Sequence, residues 1–85
     1  MIRKHSISLR GHRTSFSLED AFWQEIRVIA EHRSMAVAAL IAEIDDHRPA
    51  DCNLSSALRL YVLDWLKAMI LQHNNADMTP QSFQD

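Results

Sequence analysis

The segment His12-Arg13-Thr14-Ser15-Phe16-Ser17-Leu18 decides the fold, because polar and apolar side chains alternate along it with a period of two. Such alternation predicts a β-strand with one face toward a core. The side chains expected on the buried face are Thr14, Phe16 and Leu18. The side chains expected on the opposite face are Arg13, Ser15 and Ser17. We therefore expect a strand that presents a polar row away from the core.

A similar alternation precedes Gly11, the only glycine of the chain, with Ile7 and Leu9 opposed to Ser6 and Ser8. Glycine tolerates a positive φ angle, so Gly11 predicts a turn or a bulge between the two runs. Residues 1–11 are then either a basic N-terminal arm or a first short strand. Two short strands and one kinked strand both fit this pattern.

After Leu18 the apolar spacing changes to that of a helix, which predicts a first helix over residues 19–33. Residues 17–20 also match a capping box, which would take Ser17 out of the strand, and both alternatives stay open. A second helix is expected from Val37 to His47, ahead of Pro49.

A third helix is expected within residues 49–73, capped by Asp51 or Asn53. One apolar stripe on it comprises Leu54, Leu58, Tyr61, Val62, Trp65 and Met69. Further apolar residues widen that surface, namely Leu60, Leu63, Leu66 and Ile70. A helix that is apolar on two sides must be buried on both sides. In so small a domain, we expect a second subunit to bury one of them. Residues 74–85 show no pattern and are expected to be a disordered tail.

The charges are sorted along the chain, although the net charge is only −2. Residues 1–13 hold four of the nine Lys and Arg side chains and none of the eleven acids. The remaining residues therefore carry a formal charge of −6. A basic segment on an acidic body favours contact with a polyanion through one edge. The basic residues of this N-terminal segment are Arg3, Lys4, Arg10 and Arg13.

Several classes of function are not expected. A single cysteine, Cys52, and the lack of a signal segment favour a reducing cytoplasm, and no apolar run is long enough to span a membrane. The five histidines and Cys52 lack the spacing of a zinc motif, so we expect no metal site. The sequence contains no nucleophile motif and no phosphate-binding glycine loop, so we expect no catalytic residues, no cofactor and no enzyme.

Three segments carry a family resemblance: His12-Arg13-Thr14-Ser15-Phe16-Ser17-Leu18-Glu19-Asp20-Ala21-Phe22-Trp23, Met35-Ala36-Val37-Ala38-Ala39-Leu40-Ile41-Ala42-Glu43-Ile44, and Asn53-Leu54-Ser55-Ser56-Ala57-Leu58-Arg59. They resemble the small bacterial ribbon-helix-helix DNA-binding proteins, of the Arc and MetJ type, that carry an extra C-terminal helix. The resemblance extends over about residues 4–68.

The resemblance implies a mostly helical homodimer in which one strand of each chain forms an antiparallel ribbon in the major groove of double-stranded DNA. Arg13, Ser15 and Ser17 would contact bases, and Arg13 suits bidentate contact with guanine. Arg10, Lys4 and Arg3 would support them. The resemblance also implies that the backbone amides of Ala36, Val37 and Ala38 hold a phosphate at the start of the second helix.

Two alternatives remain open. Residues 53–59 also resemble the start of a ribbon-helix-helix second helix, in which case residues 35–48 are an insertion. We expect the compact assignment, with the core domain at residues 12–48 and the third helix at 49–73 reinforcing the dimer. The function expected is a repressor that binds an operator. The alternative is a protein-interaction or antitoxin-like module that binds a partner through its third helix and tail.

Overall fold

A computed structural model describes the backbone of residues 1–84 and the side chains of residues 1–73. The chain forms a two-stranded antiparallel sheet followed by helices. The elements are β1 (Ile2–Leu9), β2 (His12–Glu19), α1 (Asp20–His32), α2 (Val37–His47) and α3 (Leu54–Gln84). This order confirms the mostly helical fold class with an N-terminal strand that the sequence predicts.

The two strands form a hairpin within one chain, joined by Arg10 and Gly11. Both turn residues have positive φ angles, 52° and 82°, as in the two-residue turns whose twist matches a hairpin. The register runs from Leu9 opposite His12 to Ile2 opposite Glu19. The turn expected at Gly11 is confirmed, and the structure has two strands rather than one kinked strand. Pairing of β2 with a second copy of the chain stays a prediction.

The inner face of the hairpin packs on the helices. Phe16 and Leu18 are buried, Thr14 is half-buried, and Leu9 of β1 joins them, which confirms the alternation predicted for β2. The helices add to this core Ile26, Ile29, Ala30, Leu40, Ile41, Ile44, Leu54, Ala57, Leu58 and Val62. Burying one large apolar side chain contributes about 1.5–3 kcal/mol. The inner face therefore fixes the hairpin to the helices and leaves the other face to solvent.

An aromatic stack beneath the hairpin locates the start of α1. The ring of His5 stacks on Trp23 at a centroid distance of 4.1 Å and lies 5.4 Å from Phe16. His5 Nε2 is buried and has no hydrogen-bond partner among the described residues. Trp23 is partly buried against the core. His5, which belongs to the basic N-terminal segment in sequence, thus packs inward rather than facing solvent with Lys4.

The ends of α1 differ in one respect from the sequence prediction. Glu19 is the N-cap residue and makes no side-chain capping bond, and Ser17 stays in β2. The capping box at residues 17–20 therefore does not form, because these residues continue the strand until α1 begins. At the other end Ser34 has a φ of 57°, and the Met35 amide donates to the Ala30 carbonyl at 2.9 Å, a common way to end a helix.

The third helix begins at a side-chain cap and extends beyond the range that the sequence predicts. The Ser56 amide donates to Asn53 Oδ1 at 2.8 Å, so Asn53 rather than Asp51 caps α3. The helix runs from Leu54 to Gln84, whereas the sequence predicts it within residues 49–73. The tail expected at residues 74–85 lies outside the residues whose side chains are described, and that expectation stays a prediction.

Candidate nucleic-acid interface

The outer face of the hairpin is a continuous polar surface built by both strands. Four cross-strand pairs alternate onto this face. The pair of Ile2 and Glu19 lies at its end, and the other three are Lys4 opposite Ser17, Ser6 opposite Ser15, and Ser8 opposite Arg13. The six side chains of these three pairs belong to exposed residues. We call these six residues the outer row. It contains two cations and no carboxylate, so it has the charge and the hydrogen-bonding groups that suit a polyanion.

Arg13 is oriented along this face by a neighbour on β1. Its Nε donates to Ser6 Oγ at 3.1 Å, which leaves the terminal guanidinium nitrogens without an ion pair among the described residues. Lys4 likewise forms no ion pair in the described part of the chain. The charge of the outer row is therefore available to a ligand. Ser6 and Ser8 are absent from the sequence-predicted site, although the alternation of β1 contains the signal that places them here.

Arg3 and Arg10 lie away from the outer row, and both are bound by acids of the same chain. Arg3 Nε contacts Asp20 Oδ1 at 2.8 Å. Arg10, at the turn, pairs with Asp46 and lies 3.7 Å from Asp45 of α2. Two of the four cations of the basic segment thus hold the hairpin to α1 and α2, and the structure brings only Lys4 and Arg13 together on one face.

The row ends at Glu19, whose carboxylate turns toward α3. Arg59 donates to both Glu19 oxygens, at 2.8 and 3.1 Å. These hydrogen bonds lower the pKa of Glu19 below its ordinary value of 4.5 and raise the pKa of Arg59. The pair therefore fixes α3 to the end of β2, and it neutralises the carboxylate nearest to the outer row.

One edge of β2 is open. The two-residue turn makes Leu9 and His12 a hydrogen-bonded pair, and such pairs alternate along an antiparallel ladder. The backbone groups of Arg13 and Ser15 consequently point away from β1, and no described residue of another element donates to them or accepts from them. Ser17 shares this orientation, and its carbonyl accepts a hydrogen bond from Ser55 Oγ at 2.6 Å. An unpaired strand edge of this kind favours pairing with another strand.

The first turn of α3 lies beside the outer row. A cavity of about 450 Å³ is bordered by Lys4, Ser15 and Ser17 of the hairpin and by Asn53 and Ser55 of α3. The positive end of a helix dipole with free amides attracts anions. This arrangement corresponds to the alternative in which residues 53–59 begin the second helix of the motif.

The residues that the family resemblance assigns to phosphate binding lie at the start of α2 and not at the start of α3. Ala36 is the N-cap residue of α2, without a side-chain capping bond, and Val37 and Ala38 open that helix. Ala36 and Val37 border a cavity together with Arg27 and Glu31 of α1. No hydrogen bond or ion pair joins residues 36–38 to the hairpin within the described part of the chain. Phosphate binding by these amides stays a prediction.

A second apolar face of α3 is exposed in the single chain. The exposed fractions of Leu60, Leu63, Ile70 and Leu71 are 55%, 49%, 61% and 63%. The opposite face is buried through Leu58 and Val62. The two-sided apolar character that the sequence predicts is therefore real, and only one side is covered within the protomer. Large exposed apolar patches mark interaction surfaces. We call these four residues the α3 stripe.

The described residues contain neither a membrane-spanning helix nor a metal-binding cluster. No helix there is long and apolar enough to cross a membrane. No group of three or more His, Cys, Asp or Glu side chains is arranged to hold a metal ion among the same residues. The acidic side chains near the end of α2 are instead engaged with arginines, as in the pair of Arg33 with Glu43 at 2.7 Å, which lowers the pKa of Glu43.

Comparison with known proteins gave one match. The model of the ribbon-helix-helix domain family matches residues 2–66, which include the hairpin, α1, α2 and the first part of α3. No curated protein and no solved structure is significantly similar to the chain. Domains of this family are in general DNA-binding regulators rather than enzymes, and they generally form dimers. Because the match covers most of the chain and the structure has the strand followed by helices, this protein belongs to the ribbon-helix-helix domain family.

Proposed function

We propose that the protein is a homodimeric repressor that binds double-stranded DNA in the cytoplasm through the outer face of its hairpin. The observation that carries this proposal is the outer row. It has four hydroxyl groups, no carboxylate and two cations that form no ion pair within the described part of the chain, and the net charge of the chain is negative. A twisted antiparallel ribbon fits the major groove, where alternate side chains reach base edges. Occupation of an operator then blocks transcription.

Arg13 is the side chain best suited to choose a sequence. A guanidinium makes two parallel hydrogen bonds to guanine, whereas serine hydroxyls bind several bases with little discrimination. The contact from Arg13 Nε to Ser6 Oγ leaves both terminal nitrogens for that purpose. Ser15 and Ser17 flank Arg13 on the same strand and complete the base-contacting row of β2.

The open edge of β2 supports the dimer. Antiparallel pairing of two β2 strands about Ser15 would place Arg13 of one protomer opposite Ser17 of its partner. The Ser17 carbonyl already accepts from Ser55, but a carbonyl oxygen has a second lone pair for a ladder bond. The α3 stripe supplies apolar surface that a second subunit can cover. The pairing would remove both an exposed strand edge and an exposed helix face.

The first turn of α3 is the better candidate for the phosphate contact of the motif. It lies at the border of the outer row, with the hydroxyl of Ser55 and the capping residue Asn53. The start of α2 has no described contact with the hairpin. We therefore favour α3 as the second helix of the motif, with residues 35–48 as an insertion that packs against the turn through Arg10.

Selection from a random duplex library, followed by titration of the selected sequence, tests the proposal. Replacing Arg13 with alanine should weaken binding by about 1–3 kcal/mol for each lost contact, or about 5- to 150-fold. Arg27→Ala removes an equal charge from the exposed side of α1 and should have little effect. Failure to enrich any sequence, or equal losses for the two variants, would contradict the proposal.

A protein-interaction function is the second candidate, and the α3 stripe is the observation that favours it. If the stripe binds a different protein, the purified chain should stay dimeric when Leu63 is changed to aspartate. If the stripe covers a second copy, the same change should shift the protein toward monomer in sedimentation. The sedimentation result therefore decides between the two uses of this surface.

A further inference from the structure

The hairpin widens the DNA-binding surface beyond the two strands that the proposed dimer pairs. β1 occupies one edge of β2 along its whole length, from Leu9 opposite His12 to Ile2 opposite Glu19. Only the other edge of β2 remains for a partner. A dimer joined through that edge therefore has a four-stranded sheet in the order β1, β2, partner β2, partner β1. The inference below rests on the proposed function and concerns the two outermost strands.

A four-stranded sheet is too wide to lie wholly inside the major groove. Neighbouring strands are about 4.8 Å apart, so the two outermost strands are about 14 Å apart before their side chains are counted. The major groove of B-form DNA is about 12 Å wide. If the central β2 strands lie in the groove, the β1 strands must lie over its two borders, which are the sugar-phosphate backbones.

The residues of β1 on the outer face have the chemistry that phosphates require. Apart from Ile2 at the start of the strand, they are Lys4, Ser6 and Ser8, an ammonium and two small hydroxyl groups. Their backbone amides point away from β2, because the hydrogen-bonded pairs of the hairpin include the odd-numbered residues of β1. No described residue of another element accepts a hydrogen bond from these amides. One strand thus aligns hydroxyl, ammonium and amide donors on the side that would face the groove border.

We infer that β1 is a phosphate-binding strand, which holds the ribbon on DNA of any sequence while β2 distinguishes the bases. Lys4 neutralises one phosphate in each protomer, and Ser6 and Ser8 donate hydrogen bonds to neighbouring phosphate oxygens. Contacts of this kind set register and affinity but contain no sequence information. Loss of Lys4 should therefore shift affinity equally on all sequences, whereas changes at Arg13, or at the Ser6 hydroxyl that orients it, should shift the preference between sequences.

Salt titration on a duplex of random sequence measures these contacts without knowledge of the operator. The slope of log K against log salt is about −0.9 for each phosphate that the protein neutralises. Loss of Lys4 in both protomers, in Lys4→Gln, should make the slope shallower by about 1.8. Arg27→Gln changes the same charge on α1 and should leave the slope at its wild-type value.

A variant that adds a cation is also needed, because the effect of a lost contact could be confused with the effect of poor folding. Ser8→Lys adds a cation to β1 and should steepen the slope by about 1.8 in the dimer. Gln24→Lys, on the exposed side of α1, is its matched control and should change nothing. Lys4→Gln should not alter the ratio of affinities for the selected and random duplexes, whereas Ser8→Lys is compared by its slope alone, because residue 8 lies opposite Arg13.

The outcomes separate this inference from the proposed function. Wild-type protein without salt-dependent DNA binding would overturn both. Wild-type binding that requires Arg13, together with unchanged slopes for Lys4→Gln and Ser8→Lys, would overturn only the role of β1. Slopes that change as much in the α1 controls as in the β1 variants would also overturn it, since the effect would then reflect net charge, or a phosphate contact at the start of α2, rather than β1.

Discussion

Replacing Gly11 with alanine measures how strictly the hairpin depends on its turn. Gly11 has a φ of 82°, a region that costs an L-residue about 1–2 kcal/mol. A Cβ built at this position meets no atom within 4 Å, so no steric clash adds to that cost. Alanine also restricts the unfolded chain, which offsets about 0.4–1 kcal/mol. The expected net destabilisation is about 1 kcal/mol per protomer.

Thermal unfolding followed by circular dichroism is the assay. For a chain of this length, a loss of about 1 kcal/mol lowers Tm by about 4–8 °C. Variants must be compared at equal protomer concentration, because the Tm of a dimer depends on concentration. Gly11→Asn is the matched control, since asparagine also adds a Cβ but tolerates the left-handed conformation, and it should lower Tm by less. Equal losses for the two variants, or no loss for alanine, would refute the reasoning that backbone conformation selects glycine here.

Three further changes follow from particular contacts. Ser34→Gly should raise the stability by about 0.5–1 kcal/mol in thermal unfolding, because Ser34 has a φ of 57° and glycine has no Cβ penalty there; a lower Tm would contradict this. The folded-state pKa of Glu19 lies below its ordinary value of 4.5, so its pair with Arg59 stabilises the fold above that pH and is lost as the pH falls through the lowered pKa. Glu19→Gln should therefore be less stable than wild type at neutral pH, with the gap closing below pH 4.5 in urea unfolding; a gap independent of pH would refute the pair. Ile70→Asp, on the exposed α3 stripe, should weaken the dimer in sedimentation and leave helix content unchanged, and an unaffected dimer would place the interface elsewhere.

The sequence predicts the properties of β2 best, because these properties depend on residues that are neighbours in the chain. The alternation around Phe16 determines which side chains are buried and which belong to the outer row, and a single glycine indicates the turn. The capping box at residues 17–20 fails for the same reason, since the alternation of the strand continues to Glu19 and outweighs a short capping pattern.

Properties that depend on distant residues are predicted less well. Counting charges along the chain places four cations in the first thirteen residues, but the acids that bind Arg3 and Arg10 lie on α1 and α2. The basic segment is thus partly structural. The position of the start of α3 beside β2 is also hard to predict from the sequence. It depends on the contact between Ser55 and Ser17, which lie 38 positions apart. The capping residue Asn53 marks the start of α3, but no local pattern places that start beside β2.

Amide chemical-shift mapping of the isotope-labelled protein, titrated with a random-sequence duplex, tests most directly whether the outer face of the hairpin is the DNA-binding surface. We predict the largest shifts at the outer row and in the first turn of α3, with Gln24, Arg27 and Val28 on the exposed side of α1 unchanged. Shifts concentrated on α1 or on the α3 stripe, with unchanged hairpin amides, would contradict the assignment of this face to DNA.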